Sequence, residues 1–109
     1  MDINKLHKVK RERDIIQKKT WHKIFLMCIR KIELANKIFE EECFFEIPDM
    51  IIGHPKYNID DVIKYLVKNL KKIGYYLEVY QPNIIYINWN EDLLSMKNKI
   101  NKNNQNDDN

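Results

Sequence analysis

The sequence predicts a single small α+β domain. Its elements are a long N-terminal helix, a short strand, a second capped helix and a C-terminal β-hairpin, the strands forming a small antiparallel or mixed sheet. Three observations predict this. No Gly or Pro interrupts Asp14 to Glu42. Ile59, Val62, Ile63, Leu66, Leu70 and Ile73 recur at helical steps, and after Gly74 the apolar period shortens to two. A chain of 109 residues with 44% hydrophobic content fits one domain with a modest core.

In chain order, residues 1–13 are a basic arm, either frayed or the first turns of a helix. Residues 14–90 form the domain, and residues 91–109 a short helix or an Asn/Asp-rich disordered tail. In the long helix, Trp21, Ile24, Phe25, Cys28, Ile32, Ala35 and Phe39 make one apolar stripe. Ile16, Met27, Leu34 and Ile38 make a second, centred about 100° away. Either the helix is clasped between two layers of its own domain, or the second stripe meets another chain.

Cys43 to Ile47 reads as a strand ended by Pro48. From Asp49 to Tyr57 the chain is a structured loop, with Ile51, Ile52 and Tyr57 expected to pin it to the core. Asn58 is a helix N-cap, Asp60 and Asp61 suit the positive end of the dipole, and Gly74 suits a left-handed C-cap. Pairing Val79 with Ile85, Leu77 with Ile87 and Tyr75 with Trp89 collects the best core residues on one sheet face. That register leaves Gln81-Pro82-Asn83 as the loop, against the turn preference of Pro-Asn, so irregularity is expected there.

The signposts Cys43-Phe44-Phe45-Glu46-Ile47-Pro48, Gly53-His54-Pro55-Lys56-Tyr57-Asn58, Tyr65-Leu66, Leu70, Gly74-Tyr75 and Pro82-Asn83-Ile84-Ile85-Tyr86-Ile87-Asn88-Trp89 carry a resemblance. The chain resembles a group of small uncharacterised proteins of large nucleocytoplasmic DNA viruses, over about residues 20–89. The resemblance implies a viral source, with the host cytoplasm or the virion as its setting. It supplies no site. The heavy use of Ile, Asn and Lys fits an AT-rich genome.

The chemistry offered by the sequence is sparse. His7, His22, His54, Cys28 and Cys43 are not at metal-finger spacing, so neither a metal nor a cofactor is expected. With no signal peptide, both cysteines are expected to be reduced in an intracellular setting. About 20 Å of mostly helical chain is expected to keep them apart. No nucleophile–base pair stands out, so the chain is read as non-enzymatic. The longest apolar run, Ile24 to Ile29, is far too short to insert in a bilayer.

Tyr76, Tyr80 and Tyr86 project from the hairpin face opposite the core. They invite either base stacking or cover by another layer, and cover is the favoured reading. Residues 1–31 hold ten Lys/Arg against three acids, a net +7, and the remainder holds −4. Two functions follow. The first is a structural or protein-interaction component of a virus, joining itself or another viral protein through Ile16, Met27, Leu34 and Ile38. The alternative is a nucleic-acid-binding accessory protein contacting phosphates through Lys5, Lys8, Lys10, Arg11, Arg13, Lys18 and Lys19.

Overall fold

A computed structural model describes residues 2–96. The elements are α1 (Ile3–Lys37), β1 (Glu42–Glu46), α2 (Ile59–Ile73), β2 (Tyr76–Tyr80) and β3 (Ile84–Asn88). Residues 91–96 are again helical. The rest of the short helix expected to reach Ile100, and the tail from Asn101, lie outside the described residues.

The basic arm is the beginning of α1. Its Lys, Arg, Glu and Leu residues are good helix formers, and the Asp2 carboxylate caps the first turn by accepting the Asn4 N–H at 3.1 Å. The far end of α1 stops at Lys37, short of the expected Glu42. There Phe39 turns into the left-handed region at φ 66°. The Phe39 N–H donates to the Asn36 carbonyl at 3.1 Å, and the Glu40 N–H reaches back to the Ala35 carbonyl at 3.0 Å. This paired closure satisfies carbonyls that a helix end would leave bare. Phe39, expected in the core stripe, is therefore 94% exposed.

The end of α2 is built the same way with the expected residue. Gly74, at φ 115°, donates to Lys71 at 3.1 Å, and Tyr75 donates to Leu70 at 3.3 Å. At the start of α2 the Asn58 side chain accepts the Asp61 N–H at 3.2 Å.

The sheet has the order β1-β3-β2, with both outer strands antiparallel to β3. The unit β1-α2-β2 thus leaves a gap one strand wide, which β3 fills from the hairpin. The hairpin register pairs Val79 with Ile85 and Leu77 with Ile87, and the rings of Tyr75 and Trp89 meet edge-on at 6.2 Å. The loop between β2 and β3 is Gln81-Pro82-Asn83, with a cis Gln81–Pro82 peptide. Asn83 ties this loop to the end of β1. Its carbonyl accepts the Ile47 N–H at 2.8 Å and its side chain donates to the Ile47 carbonyl at 3.1 Å.

Both helices pack on one side of the sheet. The core joins Ile24, Cys28 and Ile32 of α1, Val62, Leu66 and Leu70 of α2, and Cys43, Phe45, Ile85 and Ile87 of the strands. Trp21 and Phe25 turn toward Tyr65 of α2, with ring centroids 5.6 and 6.5 Å away. The loop before α2 is pinned differently from expectation. Ile51 and Tyr57 are half-buried, and the Tyr57 hydroxyl donates to the Pro48 carbonyl. Ile52, however, points into solvent. Its place is taken by His54, whose Nδ1 lies 2.9 Å from the buried Thr20 hydroxyl, itself bonded to the Ile16 carbonyl.

Candidate functional site

Along α1 the surface divides by arc. The flank carrying Trp21 and Phe25 is occupied by α2, and the adjoining arc of Ile24 and Cys28 faces the sheet. The opposite flank holds Ile16, Met27, Leu34 and Ile38, all exposed, from 40% at Met27 to 69% at Ile38. α1 is thus covered by one layer, not clasped between two. Sequence reading missed the continuation of this strip into the arm, where Val9 lies on the same line and Leu6 beside it, both exposed. The signal was available in their helical spacing to Ile16 but was masked by the charges around them. The strip runs from Val9 to Ile38, about 43 Å at the helical rise, and is interrupted at Thr20, which His54 covers.

The seven arm cations are all exposed, and the first buried residue of α1 is Thr20. At about 100° per residue, Lys5, Lys8, Arg11, Lys18 and Lys19 share an arc of about 140°. Lys10 and Arg13 fall instead on the apolar side, where they line a groove with Asp14, Ile16, Gln17, Pro55 and Lys56. The structure therefore brings five of the seven cations together and separates two.

The second face of interest is the side of the sheet turned away from the helices. Its rows are Glu42, Asn88 and Tyr76; Phe44, Tyr86 and Glu78; and Glu46, Ile84 and Tyr80. Among the described residues no helix packs on it, so α1, on the opposite side of the sheet, is not a layer that covers it. Phe44, which sequence reading left in the strand without a role, stands over Tyr86 at 5.1 Å and Tyr80 at 6.3 Å. The alternation of Cys43 to Ile47 would have placed it there.

Carboxylates thread this aromatic patch. Glu78 accepts from the hydroxyls of Tyr76 at 2.6 Å and Tyr80 at 2.7 Å, and Glu42 accepts from Tyr86. These bonds to carboxylates push the tyrosine hydroxyls above their ordinary pKa. Three acids among the rings repel phosphate, so the stacking of nucleic-acid bases on this face is disfavoured.

The two cysteines are free and buried. They are not held far apart as expected. The reversal at Phe39 lays β1 back along α1, and both cysteines join the one buried core cluster. Among the described residues no group of three or more His, Cys, Asp or Glu side chains could hold a metal ion. No helix there is long and apolar enough to cross a membrane.

Residues 1–71 match the model of a family of unknown function, DUF5759. An uncharacterized protein of Acanthamoeba polyphaga mimivirus is 31% identical over 78 residues, which cover 68% of this chain and 63% of the relative. The match thus spans less than two thirds of that relative's length. No solved structure matches.

Proposed function

The chain belongs to the family of unknown function DUF5759, with a relative in a giant virus, and we propose that it is a non-enzymatic interaction component of a viral assembly. It joins a second copy, or another viral protein, through the free flank of α1. One observation carries this reading: Ile16, Met27, Leu34 and Ile38 stand exposed on one flank of a helix whose other flank, at Trp21 and Phe25, packs on α2. A strip of this length rimmed by charges is typical of a contact surface.

The free edge of β1 is a poorer route to association. Antiparallel pairing of two β1 strands about Phe44 sets Glu42 of one copy opposite Glu46 of the other, and like charges so placed oppose pairing. Light scattering coupled to size-exclusion chromatography tests the reading. The full chain is expected to form a dimer or larger species, and Leu34→Glu with Ile38→Glu to return it to monomer. A strict monomer, indifferent to both substitutions, removes the basis for it.

A second reading is favoured by the shared arc of Lys5, Lys8, Arg11, Lys18 and Lys19 on a helix otherwise bare. These cations suit a duplex or single-stranded phosphate backbone, bound without regard to sequence.

A further inference from the structure

The exposed strip of α1 has a symmetry of its own. Val9, Ile16, Met27 and Leu34 are all exposed, and at about 100° per residue they lie within about 20° of one line along the helix. Their spacings are seven, eleven and seven residues, so the strip reads the same from either end. A partner of unrelated sequence has no use for such a palindrome. A second copy does, because a two-fold contact must be complementary to itself.

We propose that a second copy lies antiparallel on this flank, with the two-fold axis passing between Trp21 and His22. The inference rests on the reading of the flank as a contact surface, and it fixes the occupant and the register. Val9 meets Leu34 of the second copy and Ile16 meets its Met27, each pair formed twice. The interruption at Thr20 falls beside the axis, opposite Lys23 of the second copy, so the apolar pairs on either side are undisturbed. Glu12 and Arg30 are exposed on one rim of the strip, both about 50° from its centre line. The same register sets each opposite the other across the contact, within about 2 Å along the helix axis. A parallel pair would set Glu12 against Glu12 and Arg30 against Arg30.

The rest of the rim is cationic and exposed. The register brings Lys19 near Lys23, Lys5 near Lys37 and Arg13 near Lys31 of the second copy. These like charges oppose the contact at low salt and are screened over about 8 Å at physiological ionic strength. The dimer is therefore expected to tighten as salt is raised, the reverse of phosphate binding by the arm. A strip about 43 Å long and about 10 Å wide covers about 430 Å² of each copy, the size of a contact that dissociates on dilution.

The test uses the full chain. Val9→Cys and Leu34→Cys are made as separate variants, the native Cys28 and Cys43 being buried. With a short thiol-to-thiol crosslinker neither is expected to link to itself, since like positions of the two copies stand about 38 Å apart. An equal mixture, with one variant isotopically heavy, is expected to give the product of mixed mass. Glu12→Arg is expected to weaken the dimer about fivefold, and Glu12→Arg with Arg30→Glu to restore it. Circular dichroism of each variant confirms that the fold is kept.

Self-linking of either cysteine variant, in a dimer that Leu34→Glu with Ile38→Glu abolishes, overturns this register and leaves the flank reading standing. So does a dimer that weakens as salt is raised, or a mixture that dimerises without linking. A chain that stays monomeric when concentrated at high salt overturns the antiparallel pair and self-association through the flank together.

Discussion

Cys28 is fully buried between the helices and the sheet. Burial pushes its thiol up to about 12, and the neighbouring Cys43 acts in the same direction. Burial also raises Cys43, against a lowering by Lys31. In the unfolded chain a thiol ionises near its ordinary value, so above about pH 9 the folded chain holds a proton that the unfolded one has released. Stability is thus full below that pH and falls above it, by about 1.4 kcal/mol per pH unit for one such thiol. Urea unfolding at pH 8 and pH 10 is expected to show this loss in the wild type and a smaller one in Cys28→Val. Equal losses in both would assign the pH dependence elsewhere. The folded chain is also expected to leave Cys28 unmodified by a thiol reagent at pH 8 until denaturant is added.

Where the helices end, two positions with the same hydrogen-bond pattern carry opposite residues, Phe39 and Gly74. A side chain in the left-handed region costs about 1–2 kcal/mol. Phe39→Gly is therefore expected to raise stability by about 1 kcal/mol, and Gly74→Ala to lower it by a similar amount. The Phe39 ring is exposed next to Ile38, so the same glycine is expected to weaken association through the α1 flank. A lower unfolding midpoint in Phe39→Gly would show instead that its ring anchors the fold.

These two ends also separate what the sequence discloses from what it hides. Asn58, Gly74 and the alternation after Tyr75 name their own conformations, because a cap, a left-handed glycine and a period of two are local signals. The end at Phe39 has no such residue. It is imposed by β1 returning to the core, and tertiary packing of that kind leaves no local trace. Strand order was hidden for the same reason, while the exposure of Leu34 and Ile38 was legible as a surplus of apolar arc. The aromatic–acidic face was half legible. The tyrosines announced it, but the contribution of Phe44, Glu42 and Glu46 needed the register of β1 against β3.

Across the whole molecule, positive charge gathers on the first third of the chain and negative charge on the rest. If the five aligned arm cations meet phosphate, binding to a generic duplex is expected to weaken several-hundred-fold between about 50 and 200 mM salt. Lys8→Glu with Arg11→Glu is expected to flatten that slope. An affinity indifferent to salt in the wild type would dismiss nucleic acid as the partner of the arm.

The topology has a further consequence for the order of events at the ribosome. β1 and β2 hydrogen-bond as strands only to β3, and β3 is the last of the three to be synthesised. A nascent chain that has emerged only through Tyr80 holds both helices and both margins of the sheet, yet no ladder can close. The apolar faces of α1 and α2 wait, without their floor, until Ile85 and Ile87 arrive.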